Sequence, residues 1–237
     1  MFHCHLCCPH TNSLLVPNDI IDMTPWHLTL PIKRENRKDA KIIYNPKLKS
    51  FQNDTCFYVS PTHNSILFTA NCGGATTRGS HYPRSELREM VGDKRALWTS
   101  SGYHELTTVL SINETPKVKR AVVALQIHDG DSDVMQVLVK KDRLYVRGSI
   151  DSKSHDYGTL EDNYELGTKF SCKIICCSNL VKVYYNDMSS PKLTFKYHGD
   201  DENYFKVGAY VQSNVSKGDA PDTVGSVEVF SCNVVHN

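Results

Sequence analysis

Short runs in which polar and apolar side chains alternate recur along this chain, separated by turn-forming residues. Successive side chains leave a strand on opposite faces. Such runs have few structural solutions, chiefly antiparallel sheets with one face in a core and the other free. Segments 66–70, 121–128, 134–140, 144–147, 170–177, 180–185, 192–197, 204–212 and 226–234 are rich in Val, Ile, Tyr, Phe and Thr and are bounded by Gly, Asn, Asp or Pro. Lys141 with Asp142 and Asn186 with Asp187 read as short turns. Brief helical turns are expected only at 19–23 and 33–41, and 26–31 is the first committed strand. There is no internal repeat and no low-complexity linker. Regularly spaced strands predict an all-β sandwich or barrel in one domain over 23–237, preceded by an N-terminal appendage at 1–22.

The chain has 237 residues, with 27 basic and 26 acidic side chains. That near-balance argues against generic electrostatic capture of nucleic acid or of an anionic membrane. No apolar run approaches the ~20 residues needed to cross a bilayer. The first ten residues lack a basic stretch followed by an apolar one, so they are not a recognisable signal peptide. The route of delivery stays open, with a lytic or viral protein among the contexts. His3, Cys4, His5, Cys7, Cys8 and His10 form a tract that looks like a metal site. It has no second ligand pair after a spacer, so a tail is the expectation and no metal is assigned. The nine cysteines fix no disulfide pairing, and Cys172 and Cys176 alternate in phase with Phe170 and Ile174 as small core residues.

Three segments combine an apolar face with a chemically capable one. In 82–88, Arg84, Glu86 and Arg88 align on one side. In 123–128, Gln126 and His128 point one way while Val123, Leu125 and Ile127 point the other. In 204–212, Tyr204, Lys206, Tyr210 and Gln212 share a face on which Gly208 leaves a gap, and Phe205, Val207, Ala209 and Val211 share the opposite one. Together these predict a sheet floor able to hold an anion and to move a proton. Taken singly, each segment also fits a bland reading as a solvated charge ladder, a strand-end histidine or surface tyrosines. The remaining histidines, His27, His104 and His236 among them, are expected to be structural or at the surface.

Arg84-Ser-Glu-Leu-Arg88, Gln126-Ile-His128 and Tyr204-Phe-Lys-Val-Gly-Ala-Tyr-Val-Gln212 resemble, in order, the three signature blocks of the alginate lyases of polysaccharide lyase family seven. The resemblance runs from about residue 26 to 235, and Val207 departs from it where the family usually has Ala. It implies a β-jelly roll whose concave sheet forms the substrate groove for an acidic polysaccharide, with no metal and no organic cofactor. A monomer is expected, though the sequence itself does not give the oligomeric state. It further implies β-elimination at a 4-linked uronate. Arg84 and Gln126 would neutralise the carboxylate beside the acidic C5 proton, the electrostatic stabilisation such chemistry demands. His128 is then a candidate base or carboxylate partner. Tyr210 protonates the departing oxygen and, in some uronate geometries, also takes the C5 proton, so which of the two is the base stays open. Arg88, Tyr204, Lys206 and Gln212 would line flanking subsites, and Glu86 would orient the arginines beside it. Ile127 leans the substrate toward guluronate-containing alginate, with a glucuronate polymer as the alternative. The segments 129–133 and 214–225 are candidate lids.

Two other functions compete. A binding module without turnover would need neither His128 nor Tyr210. A glycoside hydrolase would need two carboxylates facing one another at roughly 5–9.5 Å, and Glu86 and Glu89 lie on opposite faces of one strand.

Overall fold

Two antiparallel sheets stack with their apolar faces together. The computed structural model describes residues 14–130, 132–150, 153–199 and 202–237, so the His/Cys tract at 3–10 lies outside the described residues. In chain order the strands are β1 (Trp26–Lys33), β2 (Ala40–Ile43), β3 (Phe57–Val59), β4 (Ile66–Asn71), β5 (Arg84–Val91), β6 (Lys94–Arg95), β7 (Tyr103–Glu114) and β8 (Ala121–His128). They continue with β9 (Met135–Lys140), β10 (Arg143–Ile150), β11 (Lys153–Glu161), β12 (Phe170–Cys177), β13 (Leu180–Tyr185), β14 (Leu193–Lys196), β15 (Tyr204–Val211) and β16 (Val224–His236). The first sheet runs β11-β10-β9-β8-β15-β5-β1-β2 with β6 on the side of β5; the second runs β14-β13-β12-β7-β16-β4-β3.

The core lies between the sheets. Leu28, Leu87, Ile127, Phe205 and Val207 reach it from the first sheet, and Phe68, Leu106, Ile174 and Val227 from the second; all are fully buried. Each such side chain contributes about 1.5–3 kcal/mol relative to exposure. Cys172 and Cys176 are buried in this core as free thiols. Val207 packs there too, so the departure from the family pattern is a matter of packing.

Four expectations are corrected. Residues 33–41 form no helical turn: β1 continues to Lys33 and β2 begins at Ala40. Ile21 is 3% exposed within the core, so packed structure begins before residue 23. The long strand β7 and the edge strand β11 were not expected. Finally, Val123 does not face the core. Val123 pairs with Leu138 and Leu125 with Val137, so two steps of β8 oppose one of β9. This β-bulge at Ala124 shifts the alternation. Val122 and Ala124 join the core, while Val123 packs with Leu138, Tyr145 and Tyr210 on the other side of the sheet.

Candidate active site

The sheet order brings the three capable segments side by side, because β15 lies between β5 and β8. Residues directly opposite in a sheet have side chains in contact range, and the register lines up one row across six strands. His27 opposes Arg88, Arg88 opposes Lys206, Lys206 opposes Gln126, Gln126 opposes Gln136, and Gln136 opposes Arg147. Along β15 this row is flanked on one side by His128, opposite Tyr204, and on the other by Arg84, opposite Tyr210. Gly208 makes the tight crossing between them possible. Its φ is +145°, and a Cβ there would sit 2.4 Å from the carbonyl oxygen of Ser85.

Glu86 is the hub. It is 1% exposed, and its Oε2 takes Lys206 Nζ at 2.5 Å and Arg84 Nη1 at 3.1 Å. Its Oε1 accepts from Gln126 Nε2. Burial pushes the Glu86 carboxyl up, but Lys206, Arg84 and the donated hydrogen bonds together outweigh it and hold the pKa below the usual value. Glu86 therefore stays ionised and fixes the donors around it. Of the two arginines beside it, Arg84 is ion-paired with Glu86, whereas Arg88 lies over the Tyr204 ring, with Cζ 3.7 Å from the centroid. Both Glu86 oxygens are taken by Arg84, Lys206 and Gln126, and an ionised carboxylate has no donor to offer a uronate. Glu86 thus holds the donors in place and is not one of the flanking substrate contacts expected of it. Lys206 is not in a flanking position either: it stands at the centre, 7% exposed. Burial, reinforced by Arg84, lowers its pKa to about 8 against the opposing pull of Glu86.

Arg84 is clamped between Glu86 and Ser80, whose Oγ accepts from Nη2 at 2.8 Å. Its Cζ lies 3.7 Å from the centroid of the Tyr210 ring. The Tyr210 hydroxyl is 3.2 Å from the same Ser80 Oγ. Arginine and tyrosine are thus held as a stacked pair through one serine, which lies outside every alternating segment of the chain. Arg84 Nε is buried without a protein partner, as is Arg88 Nε.

His128 stacks on Tyr204 at 5.3 Å between ring centroids. Its Nδ1 meets the Asp129 carbonyl oxygen, with the Tyr204 hydroxyl 3.0 Å away. A carbonyl can only accept, so Nδ1 carries the proton and Nε2 keeps its lone pair. Burial and the Lys206 charge lower the His128 pKa to about 4, so the ring is neutral at physiological pH. Lys206, Arg84 and Glu86 all act on it electrostatically, so His128 and the hub form one site.

Gln212 joins the site from the far side by accepting from Arg147 Nη2 at 2.6 Å. All nine expected residues therefore lie on this one face of the sheet. His27, Gln136 and Arg147 were missed. Each is a lone imidazole, amide or guanidinium in a largely apolar run, as in Trp26-His-Leu-Thr-Leu30, where Trp26, Leu28 and Leu30 are buried in the core, and only the register sets it beside the others. Burial, with Arg88 opposite, takes the His27 pKa to about 3. Its ring meets Tyr44 edge-on at 5.1 Å.

Glu89 faces away from this site. It is 1% exposed and accepts from Trp98 Nε1 at 3.0 Å and from the Phe205 backbone N–H at 2.9 Å, with His236 Nε2 against its other oxygen. Glu86 and Glu89 do not form a facing carboxylate pair. Of the candidate lids, 214–225 is tied down. Asp219 accepts from the backbone N–H groups of Lys117 and Val118 and from Ser213 Oγ.

Residues 21–236 match the alginate lyase family. The alginate lyase AlgAT5 of polysaccharide lyase family 7 superposes with a TM-score of 0.85 at 40% identity, over 94% of this chain and 99% of that one. An alginate lyase from Corynebacterium sp. superposes with a TM-score of 0.84 at 34% identity, over 93% and 98%. An alginate lyase of Klebsiella pneumoniae is 26% identical over 119 residues, which cover 50% of this chain and 39% of that protein. The two-sheet sandwich is the jelly roll of polysaccharide lyase family 7, and the chain belongs to the alginate lyase family.

Proposed function

We propose that the protein is a polysaccharide lyase that cleaves alginate by β-elimination at a 4-linked uronate. The observation that carries this reading is the donor cluster on the sheet floor, with a neutral histidine on one side and a tyrosine hydroxyl on the other. A uronate carboxylate set on this floor meets Arg84 and the free N–H of Gln126. Those donors are preorganised for the charge that grows on the carboxylate as C5 loses its proton. His128 Nε2 takes that proton, the electron pair forms the C4–C5 double bond, and the C4–O bond breaks. Tyr210 gives its proton to the departing oxygen. For a uronate whose C5–H faces Tyr210, the same tyrosine takes the proton first. Arg88, with Tyr204 beneath it, and Gln212, held by Arg147, grip neighbouring sugars, and one chain suffices. Ile127 is fully buried, so any leaning toward guluronate acts through the placement of His128.

The test is ultraviolet absorbance of the 4,5-unsaturated product from polyguluronate, polymannuronate and polyglucuronate in parallel. We expect a rise on an alginate polymer that disappears in His128→Ala and Tyr210→Phe, with the thermal unfolding midpoints of both variants close to the parent's. A rise on polyglucuronate alone would move the substrate to a glucuronan. No rise on any polymer, with binding retained, would make the protein a carbohydrate-binding module. Full turnover in either variant would refute the division of roles.

A further inference from the structure

Gln126 does not choose its own orientation. Its Oε1 accepts from Gln136 Nε2 at 3.0 Å, and Gln136 Oε1 accepts in turn from Arg147 Nε at 3.0 Å. At the other end Gln126 Nε2 donates to Glu86. A guanidinium has only donors and an ionised carboxylate only acceptors. The two ends therefore dictate the sense of both amides between them. Gln126 and Gln136 are 1% and 4% exposed, so water does not replace a bond that is turned the wrong way.

From this chain of bonds we infer that Gln136, backed by Arg147, is a positioning residue that holds the amide N–H of Gln126 toward the substrate carboxylate. The inference rests on the lyase reading above and extends it two strands further, to β9 and β10. Its chemistry is specific. An amide nitrogen presented to a carboxylate attracts it, and an amide oxygen in the same place repels it. With Gln136 in place, a reversed Gln126 sets oxygen against the Glu86 carboxylate and nitrogen against nitrogen, so both contacts are lost together.

Gln136→Glu tests this directly, because it keeps the shape and changes only the donor. As a carboxylate, the new side chain still accepts from Arg147 but draws the Gln126 nitrogen toward itself and away from Glu86. Once protonated, it donates to Gln126 Oε1 as the native amide does. Removing one preorganised donor lowers kcat by about 100- to 1,000-fold. Misdirecting one is expected to lower kcat by about 10- to 100-fold near neutral pH, with a smaller change in KM. The ratio of variant to parent kcat should recover as pH falls and the carboxylate takes up its proton. Gln136→Leu, which neither donates nor titrates, should show a loss whose ratio to the parent is flat with pH. Equal, pH-independent losses in both variants would mean a merely structural role and overturn the inference, and so would parental kcat in Gln136→Glu.

A second readout does not depend on turnover. In nitrogen-edited NMR spectra, the Gln126 side-chain amide signals, assigned by their loss in Gln126→Leu, should shift in Gln136→Glu at neutral pH and return on acidification. Unshifted signals would overturn the relay whether or not the parent cleaves any polyuronate. A parent that releases no unsaturated product while these signals behave as expected would sink the lyase reading and leave the relay standing.

Discussion

Lys206 gives the sharpest link between this buried site and a bulk measurement. Its ammonium is 7% exposed and bonded to Glu86, and burial with Arg84 nearby lowers its pKa from the ordinary 10.5 to about 8. The folded protein therefore releases this proton near pH 8, while the unfolded chain holds it to about 10.5. Between those values the unfolded state binds more protons, so stability rises with pH. At 1.36 kcal/mol per pH unit the full rise amounts to about 3 kcal/mol. In Lys206→Met the aliphatic stem is kept and the titrating group is gone, while Glu86 retains Arg84 and Gln126. Urea denaturation of both proteins from pH 7 to 10 isolates the effect, because every other titrating group is common to the two. The unfolding free energy of the parent minus that of the variant should be flat below pH 8 and then climb by about 2–3 kcal/mol by pH 10. Curves that stay parallel over the whole range would refute the account of Lys206 as a buried, strained charge. The same titration removes a positive charge from the floor, so KM for a polyuronate should rise above pH 8.

Two further outcomes follow from the same geometry. With His128 lowered to about 4, its lone pair is lost only as pH falls through that value, so kcat/KM should show an acid limb near pH 4 rather than near the ordinary 6.5 of a histidine; a limb at 6.5 would mean that His128 is not held as described. In Gly208→Ala the new Cβ meets the Ser85 carbonyl oxygen at 2.4 Å and Glu86 Cα at 2.7 Å, both backbone atoms, at a φ of +145°. A loss of about 2–4 kcal/mol in urea denaturation is expected, and a change below 0.5 kcal/mol would refute the close crossing of β5 and β15.

What could be read from the sequence divides along a physical line. Strands whose inward residues are all apolar announce themselves, and β8, β12 and β13 begin and end where the alternation does. Strand β7 hid because its inward positions include His104 and Thr108, both buried beside Leu106 and Leu110. Strand β11 hid because only Leu160 of its nine residues is buried and its first four are exposed, so it carries no apolar phase. The reversal at Val123 was out of reach for a different reason. A bulge is a mismatch between partners, and nothing within 121–128 says that β9 will take one step where β8 takes two.

The same distinction explains which part of the site was visible. Arg84, Gln126, His128 and Tyr210 stand in short blocks where capable residues repeat at a spacing of two, so local periodicity exposes them. His27, Gln136 and Arg147 are single polar residues in otherwise apolar runs, and one polar residue in a strand is uninformative by itself. They gain meaning only from the register that sets them in one row with Arg88, Lys206 and Gln126. That row also reconciles a net charge of +1 with a polyanionic substrate. The attraction does not come from the protein's overall field. On the lyase reading proposed above, it comes from arginine and lysine side chains set around one buried carboxylate, where partial desolvation strengthens each interaction with an arriving anion. Glu86 lowers the net charge of the floor, yet by fixing Arg84, Lys206 and Gln126 it makes their donors available without reorganisation when the substrate carboxylate arrives.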